Sequence, residues 1–186
     1  MPDTGTGSAG SVKRMLLEFW LIERLIRRHI SLSRFLYYRV PLVGRGLSLV
    51  LDRTLLVSYG IDLTSSSIDV KALSISHPGG ILLGGNGIVS RGRVAVMAGV
   101  KFVGRSPSDP EYLARHRERR VFVLGDNVVI GANSVILGPV DICDNVVIGA
   151  LSLVNKPITE PGVYVGIPVR KLTGEVSDEW VAHLAV

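Results

Sequence analysis

The sequence predicts a mainly β fold, a parallel β-helix of hexapeptide repeats preceded by a short α-helical region. Two observations predict it: aliphatic residues recur at every sixth position from 124 to 154, and Gly, Pro, Asn and Asp punctuate the short β-branched segments after Gly60. Neither the 3.6-residue period of a helix nor the 2-residue period of a strand explains a repeat of six. A repeat of that length is typical of a solenoid in which each hexad supplies one short strand and one turn.

The N-terminal part of the sequence predicts a disordered tail over 1–11 and a helical region over 12–58. Gly, Ser and Thr dominate the tail, a composition typical of chains without fixed structure. After it, apolar residues three and four positions apart form one stripe with Arg and Glu on the other side, which predicts a helix. Pro41 and Gly44 break that stripe, and a second helix is predicted over about 47–58.

The β-helix is predicted over 59–174, where three hexads make one triangular coil of about 18 residues. The aliphatic residue of each hexad points into the core, and the position four residues later lies near a corner, where a small or β-branched side chain fits. The inward set is Leu124, Ile130, Ile136, Ile142, Ile148 and Val154. The corner set is Val128, Ser134, Val140, Val146, Ser152 and Ile158.

Upstream of 124 the repeat is less regular. Two inward phases, one residue apart, are represented by Leu63, Ile75 and Ile81 and by Ile88, Val94 and Val100. Asp69 stands where the first phase requires an aliphatic residue, so its neighbours Ile68 and Val70 are expected to compensate. Residues 104–120 interrupt the repeat with two prolines and many charges, and they predict a loop ejected at a corner, of a kind that is usually functional. The C-terminal segment, 175–186, is expected to be helical.

The totals favour a cytoplasmic protein of one domain. No stretch reaches the roughly 18 uninterrupted apolar residues of a membrane-spanning helix, and the first residues, MPDTGTGSAG, do not resemble a signal peptide. The single cysteine, Cys143, excludes an internal disulfide and fits a reducing compartment. Because Cys143 lies inside the periodic run, it is interpreted as a small core side chain.

The net charge of +5 is concentrated near the N-terminus, where residues 11–60 hold nine Lys and Arg against three acids. Such a basic helical segment indicates an anionic neighbour, a membrane surface or a polyanion, and thus a contact at the inner face of the membrane. A solvated face of an ordinary packing helix explains it as well. No nucleic-acid partner is expected.

Six segments resemble the serine acetyltransferase branch of the left-handed β-helix, or hexapeptide-repeat, acyltransferases. They are GIDL (60–63), SHPGGILLG (76–84), MAGVKFVG (97–104), VVIGANSVILG (128–138), VVIGALSLVNKPI (146–158) and GIPVRKLTG (166–174). The resemblance implies a left-handed parallel β-helix, acetyl-CoA as the donor substrate, no metal, and a homotrimer. The helical region is shorter than in serine acetyltransferases proper, and the chain is closer in size to relatives that acetylate sugars in capsule and exopolysaccharide synthesis.

The resemblance implies His77 as a general base that is oriented by Asp62, fifteen residues earlier. With about 18 residues per coil, the two positions would lie on adjacent coils and nearly above one another, so that the carboxylate reaches the imidazole. Asp62 would then hold one ring nitrogen protonated and leave the other free to accept the proton of a hydroxyl. The alternative interpretations are that His77 is a hydrogen-bonded structural histidine and that Asp62 caps a coil turn.

For coenzyme A, the resemblance implies a groove between neighbouring subunits. Backbone contacts would come from Gly131, Ala132, Gly149 and Ala150, and the nucleotide phosphates would face Lys156 and Arg170. Tight turns need those glycines in any case.

For the acceptor, the resemblance implies Ser76 and Arg120. Serine acetyltransferases carry an acidic residue where Ser76 stands, and an Arg-His pair where this sequence has Arg120-Val121. These departures favour the hydroxyl of a sugar or glycan precursor over that of L-serine, whose acetylation serves cysteine biosynthesis.

Two other classes of protein are compatible with a parallel β-helix. A non-catalytic β-helix scaffold is disfavoured by the presence of both His77 and Asp62. The zinc-bearing β-helix carbonic anhydrases need three histidines on neighbouring coils, and of His29, His77, His116 and His183 only His77 lies in a coil, so a metal site is not expected.

Overall fold

The computed structural model describes residues 7–176, with side chains described from Ile22 onward. It opens with α1 (Gly7–Arg39) and α2 (Gly44–Tyr59), which form an antiparallel hairpin. His29 on α1 contacts the carbonyl oxygen of Leu51 on α2 at 2.7 Å, whereas Ser33, one turn further along α1, contacts Ser48. The predicted helical region is therefore a two-helix hairpin that precedes the first strand.

Two helix boundaries differ from the sequence prediction. The tail predicted to be disordered over 1–11 is wrong for 7–11, which begin α1, because a Gly- and Ser-rich composition is only a weak local preference against a helix that continues beyond it. Residues 1–6 lie outside the described residues. The second helix begins at Gly44 and not near Leu47. Glycine is required at this position because a Cβ would clash with the carbonyl oxygen of Leu36.

After the hairpin the chain winds into a three-sided prism. The strands are β1 (Ile61–Leu63), β2 (Ile68–Ser76), β3 (Ile81–Leu83), β4 (Ile88–Met97), β5 (Lys101–Gly104), β6 (Phe122–Leu124), β7 (Val128–Ile130), β8 (Val135–Gly138), β9 (Val140–Ile142), β10 (Val146–Ile148), β11 (Leu153–Val154), β12 (Gly162–Val165) and β13 (Arg170–Thr173).

The strands pair in parallel, apart from the antiparallel pair β12–β13. Face 1 is the sheet β1-β3-β5-β8-β11. The second sheet covers the other two faces, because β4 pairs with β6 near its start and with β7 near its end. We call the side with β6 and β9 face 2 and the side with β7, β10 and β12 face 3. The predicted parallel β-helix is confirmed.

The hexapeptide pattern accounts for the core. The six predicted inward residues are 3% exposed or less, and the six predicted corner residues are 5% exposed or less. Two aromatic residues fill the middle of the prism, with the rings of Phe102 and Phe122 edge to face and their centroids 5.0 Å apart. Cys143 is half-buried and packs against this core, and burial raises the pKa of its thiol.

The coils differ in length, which explains the irregular phase upstream. In the regular part Val128 pairs with Val146, eighteen residues on, whereas in the first coil Ile68 pairs with Ile88, twenty residues on. The first coil contains a 3₁₀ turn at Ser65–Ser67 and a register shift after Val70. Ile68 consequently fills the core at 2% exposure, and Asp69 points outward.

The segment predicted as an ejected loop, 104–120, contains a helix, α3 (Pro110–Arg117). The carboxylate of Asp109 caps it by accepting a hydrogen bond from the backbone N–H of Glu111 at 2.9 Å. Arg115 ties the helix to face 2 through two bonds to the carboxylate of Asp141, at 2.5 and 3.0 Å. The loop therefore lies against the prism instead of projecting from it.

At the C-terminal end, β13 stops at Thr173, and most of the helix predicted over 175–186 lies outside the described residues. Between residues 7 and 176, no helix has both the length and the apolar character that crossing a bilayer requires.

Replacing Ile136 by Ala tests the inward hexad position. Ile136 is fully buried in the centre of the prism, so truncation is expected to lower the free energy of unfolding by about 3 kcal/mol through lost burial and a residual cavity. Urea denaturation followed by circular dichroism measures it. Leu172→Ala, at a residue 69% exposed, is the matched control and should change the free energy by less than about 0.5 kcal/mol. Equal effects of the two substitutions would contradict the assigned core.

Candidate active site

One edge of the prism stacks the turns that follow face 3 and lead into face 1. The backbone N–H of Gly99 donates to the carbonyl oxygen of Gly79, that of Asn133 to Ala98, and that of Leu151 to Ala132, each at 2.9 Å. We call this line the His77 edge; it consists of the turns 77–80, 97–100, 131–134 and 149–152. It brings together, on four successive coils, segments that are far apart in the sequence.

The His77 edge is built from backbone because its coils approach closely. A Cβ on Gly131 would lie 2.6 Å from the backbone nitrogen of Ala150, which is too close for any side chain. Three non-glycine residues on this edge, His77, Asn133 and Leu151, have positive φ angles of 54°, 59° and 56°. Such angles are uncommon outside glycine, and they let each turn reverse direction within about four residues.

His77 lies at the start of its turn and is exposed to solvent. The residue before it, Ser76, ends β2 and is 8% exposed, and Pro78 follows. An exposed imidazole on an otherwise flat backbone edge is open to a small molecule that approaches from solvent.

Asp62 lies on the coil before His77, near the same edge. Gly60, two residues before Asp62, packs on the His77 turn: its carbonyl oxygen accepts a hydrogen bond from the N–H of Ile81 at 3.2 Å, and a Cβ on it would lie 3.3 Å from the nitrogen of Gly80. The start of β1 and the His77 turn are thus in contact.

The predicted stacking of the two residues is nevertheless wrong in detail. Asp62 pairs with Leu82 and not with His77, because the fifteen residues between them are fewer than one coil, which here has twenty. The carboxylate of Asp62 is half-exposed and lies 3.8 Å from the guanidinium of Arg53.

The four residues predicted to contact coenzyme A all lie on the His77 edge, on the second and third coils after His77. Gly131 is buried, Ala132 and Gly149 are half-buried, and Ala150 is exposed. Together they form a shallow strip of backbone and methyl groups that leads along the edge to the imidazole.

Lys156 and Arg120 lie elsewhere, on the edge between face 1 and face 2. Arg120 follows α3 and packs against Gly87, since a Cβ built on Gly87 would lie 2.5 Å from the backbone nitrogen of Arg120. Lys156 lines a cleft of about 390 Å³ whose other lining residues are Arg105, Glu111, Arg115, Leu137, Pro139, Asn155 and Pro157. We call this line, with turns 84–87, 105–121 and 155–157, the loop edge. Within one chain the structure does not bring these two residues to His77.

Arg170 begins β13, where it is exposed and pairs with Val165. The preceding turn continues the His77 edge, since the N–H of Gly166 donates to the hydroxyl of Ser152 at 3.1 Å. Arg170 therefore lies toward the C-terminal end of the same edge.

A second cleft, missed at the sequence level, lies between the hairpin and the loop edge. Its polar lining includes Tyr37, Ser66, Asn86 and Arg119, and Arg119 donates to the hydroxyl of Tyr38 at 2.7 Å. The hydrogen bond from Arg119 lowers the pKa of Tyr37. These contacts join residues more than eighty positions apart, so no spacing within the sequence signals them.

In the part of the chain that the structure describes, no group of three or more His, Cys, Asp or Glu side chains could hold a metal ion.

Comparison with known proteins gives the following. Residues 123–156 match the family model described as bacterial transferase hexapeptide (six repeats). A comparison with curated proteins finds no match.

Among solved structures, a serine acetyltransferase in complex with coenzyme A from Brucella abortus strain S19 is similar, with a TM-score of 0.66 and 21% identity over 82% of this chain and 56% of that one. A serine acetyltransferase from Vibrio cholerae O1 biovar El Tor N16961 is similar with a TM-score of 0.66 and 19% identity, over 81% of this chain and 54% of that one. A soybean serine acetyltransferase complexed with serine is similar with a TM-score of 0.60 and 22% identity, over 75% of this chain and 53% of that one.

These similarities establish the fold. The chain is a left-handed parallel β-helix of hexapeptide repeats with an N-terminal helical region, and the predicted resemblance to serine acetyltransferases is confirmed at that level. It spans about half the length of the solved structures that it matches.

Proposed function

We propose that the protein is an acetyl-CoA-dependent O-acetyltransferase that moves an acetyl group to a hydroxyl of a sugar or glycan precursor. The His77 edge is the observation that carries this proposal, because it lines up one exposed imidazole with two turns of small residues further along the stack. Successive coils are about 4.8 Å apart. An extended thioester-bearing arm laid on the strip would place its acetyl group at the imidazole. The similar Brucella abortus enzyme was solved with coenzyme A, which supports this donor.

In the proposed reaction His77 acts as the general base. Its neutral imidazole takes the proton from the acceptor hydroxyl while that oxygen attacks the carbonyl carbon of the acetyl thioester. The tetrahedral adduct collapses as the C–S bond breaks, and the imidazolium returns the proton to the leaving thiolate. A C–O bond replaces a C–S bond, and no covalent enzyme intermediate is needed.

Asp62 is proposed to orient the imidazole. A carboxylate that accepts a hydrogen bond from one ring nitrogen fixes the tautomer whose other nitrogen is the base. The carboxylate of Asp62 lies 3.8 Å from Arg53, and the two side chains are 49% and 63% exposed, so packing holds neither of them in place. Catalytic hydrogen bonds are often long without substrate and tighten in the complex.

The donor site is proposed to run along Gly131, Ala132, Gly149 and Ala150. The backbone of the next coil covers Gly131 and the side chain of Val165 covers Gly149, so the half-buried Ala132 and the exposed Ala150 are the accessible positions. Arg170, further along the same edge, would meet the nucleotide phosphates as a cation with several donors.

The remaining predicted residues support a homotrimer. Lys156 and Arg120 lie on the loop edge, whereas His77 lies on the other side of face 1. They can reach one acetyl-CoA and its acceptor only if the loop edge of one chain meets the His77 edge of its neighbour. A closed ring of three chains repeats that contact and gives three equal sites.

The acceptor is proposed to be a sugar or a glycan precursor, and the location the cytoplasm. Ser76 is nearly buried and uncharged, and Val121 is fully buried, so neither offers the charges that would hold the amino and carboxylate groups of free serine. L-serine is the second candidate acceptor, because the solved structures of similar fold are serine acetyltransferases.

Replacing His77 by Ala tests the base. Turnover with acetyl-CoA and a panel of sugar, sugar-nucleotide and serine acceptors is expected to fall by about 10²- to 10⁴-fold, whereas the Kd for acetyl-CoA should change less than about twofold because the edge backbone stays intact. Release of the CoA thiol measures turnover, and calorimetry measures binding. Asp62→Asn should have a smaller effect on turnover.

His29→Ala, between the two helices of the hairpin, and Asp69→Asn, which pairs with Arg34, lie away from both edges. They are the matched controls and should keep wild-type turnover. Undiminished transfer by the His77 variant would reject the base. Transfer to serine but to no sugar would establish the second acceptor, and acetyl-CoA binding without transfer to any acceptor would leave a non-catalytic scaffold.

Replacing Ala150 by Trp tests the donor strip. Ala150 is exposed, so the fold should accept an indole, which would cover the neighbouring backbone and raise the Kd for acetyl-CoA more than tenfold. Calorimetric titration measures it, with circular dichroism as the check on folding. Leu172→Trp, at an exposed residue off the edge, is the control. An unchanged Kd for the Ala150 variant would place the donor elsewhere.

The assembly is checked by sedimentation equilibrium of the full chain. The expected mass is three times the 20.1 kDa of one chain, since a shared site requires neighbouring chains. A purely monomeric protein that still transfers acetyl groups would contradict the shared site.

A further inference from the structure

Helix α2 has its polar and apolar faces reversed. Its buried side consists of Gly44, Ser48, Asp52 and Leu55. Its outward side carries Val43, at the helix start, and Leu47, Val50 and Val57, which are 63%, 49%, 61% and 86% exposed. Residues at these intervals share one helix face. A surface helix normally does the opposite, with its apolar stripe toward the core. We call Val43, Leu47, Val50 and Val57 the outer stripe.

The polar side chains on the buried side of α2 have hydrogen-bond partners, and these bonds fix the orientation of the helix. The carboxylate of Asp52 accepts hydrogen bonds from the hydroxyl of Ser33 at 2.8 Å and from the hydroxyl and N–H of Ser65 at 2.5 and 2.9 Å. Ser33 also contacts Ser48 at 2.8 Å. A rotation of α2 that buried the outer stripe would leave this carboxylate without partners, at a cost of several kcal/mol. The outer stripe is therefore a permanent surface.

The turn between the two helices extends this apolar surface. Leu42 is fully exposed and has a φ of +66°, a conformation that non-glycine residues rarely adopt. Val43, the next residue, belongs to the outer stripe. The hairpin thus ends in an apolar tip that is continuous with the stripe.

The charge of the hairpin decides what covers this surface. Its described side chains, from 22 to 60, include seven arginines and two carboxylates. Both carboxylates point inward: Asp52 is buried, and Glu23 accepts a hydrogen bond from Ser74 on the prism. Arg28, Arg39 and Arg45 are exposed. The outer surface of the hairpin is therefore apolar and cationic.

We propose that the outer stripe and the Leu42 tip dock on an anionic lipid bilayer. Apolar side chains of this kind enter the boundary between headgroups and acyl chains, and arginines bind the headgroup phosphates. A second copy of the hairpin would bring the same stripe but also the same cations, which repel one another. If the protein is the proposed trimer, its three-fold axis places all three hairpins at one end, so that three weak contacts act together.

Co-sedimentation of the full chain with vesicles tests the proposal. Wild type should bind vesicles that contain phosphatidylserine and bind those of phosphatidylcholine alone at least tenfold less. Val50→Glu should lower binding at least tenfold, while Leu172→Glu, at a similarly exposed residue on β13, should match wild type. Arg28→Gln and Arg39→Gln should each lower binding roughly fivefold. Circular dichroism checks that each variant is folded. If Val50→Glu does not fold, Val57→Glu, at a residue that is 86% exposed, replaces it in the test.

Equal binding to both vesicle types, or equal loss in the Leu172 control, would overturn the proposal. So would an absence of lipid binding together with self-association beyond a trimer that Val50→Glu abolishes, because the occupant would then be a second copy. His77→Ala should bind vesicles like wild type, so the outcome does not depend on whether the chain transfers acetyl groups.

Discussion

The register between successive coils is the constraint on which the rest of the structure depends. Each strand pairs with the strand one coil away, and in the regular part the step is eighteen residues, so that every inward side chain lies over another. A single misplaced residue would turn a core side chain outward, since side chains alternate along a strand. Stacking in register also brings the turns into contact, which is why the His77 edge is made of backbone and small residues.

This constraint shapes the proposed chemistry. The His77 edge has few charged side chains near it: His77, Asp62 and Arg170 are spread over several coils, and Lys101 donates to the carbonyl oxygen of Gly99 at 3.0 Å. The cations Lys156 and Arg120 lie on the other side of face 1. The fold thus offers a long shallow strip and not a deep pocket. In the proposed trimer a neighbouring chain would cover the open side of this strip. Enclosure between two chains would also exclude water from the thioester, which would otherwise be open to hydrolysis.

Much of the prism could be predicted from the sequence, because the inward and corner positions follow a period that no other fold requires. Gly131, Ala132, Gly149 and Ala150 were selected by the resemblance, and the structure places all four on one edge. The placement of Asp62 relative to His77 was not predicted correctly, because an offset of fifteen residues is shorter than one regular coil and the first coil is longer still, at twenty residues. The inverted helix α2 was missed for a related reason. Its buried side is polar because Asp52 meets Ser33 and Ser65, partners from two other segments that local periodicity does not reveal.

The inserted segment 104–120 has a consequence for how such a chain diversifies. Val94 pairs with Val128 and Lys101 with Val135, so the ladder closes across the insertion as if it were absent. Loop-closure entropy rises slowly with length, by about 0.6 kcal/mol for each doubling. A change in the length of this segment would therefore leave the ladder paired, at the loss of the contact between Arg115 and Asp141, and would remodel the rim that a neighbouring chain's imidazole would face. Under the proposed function, the acceptor preference can therefore change at this corner while the core residues stay the same.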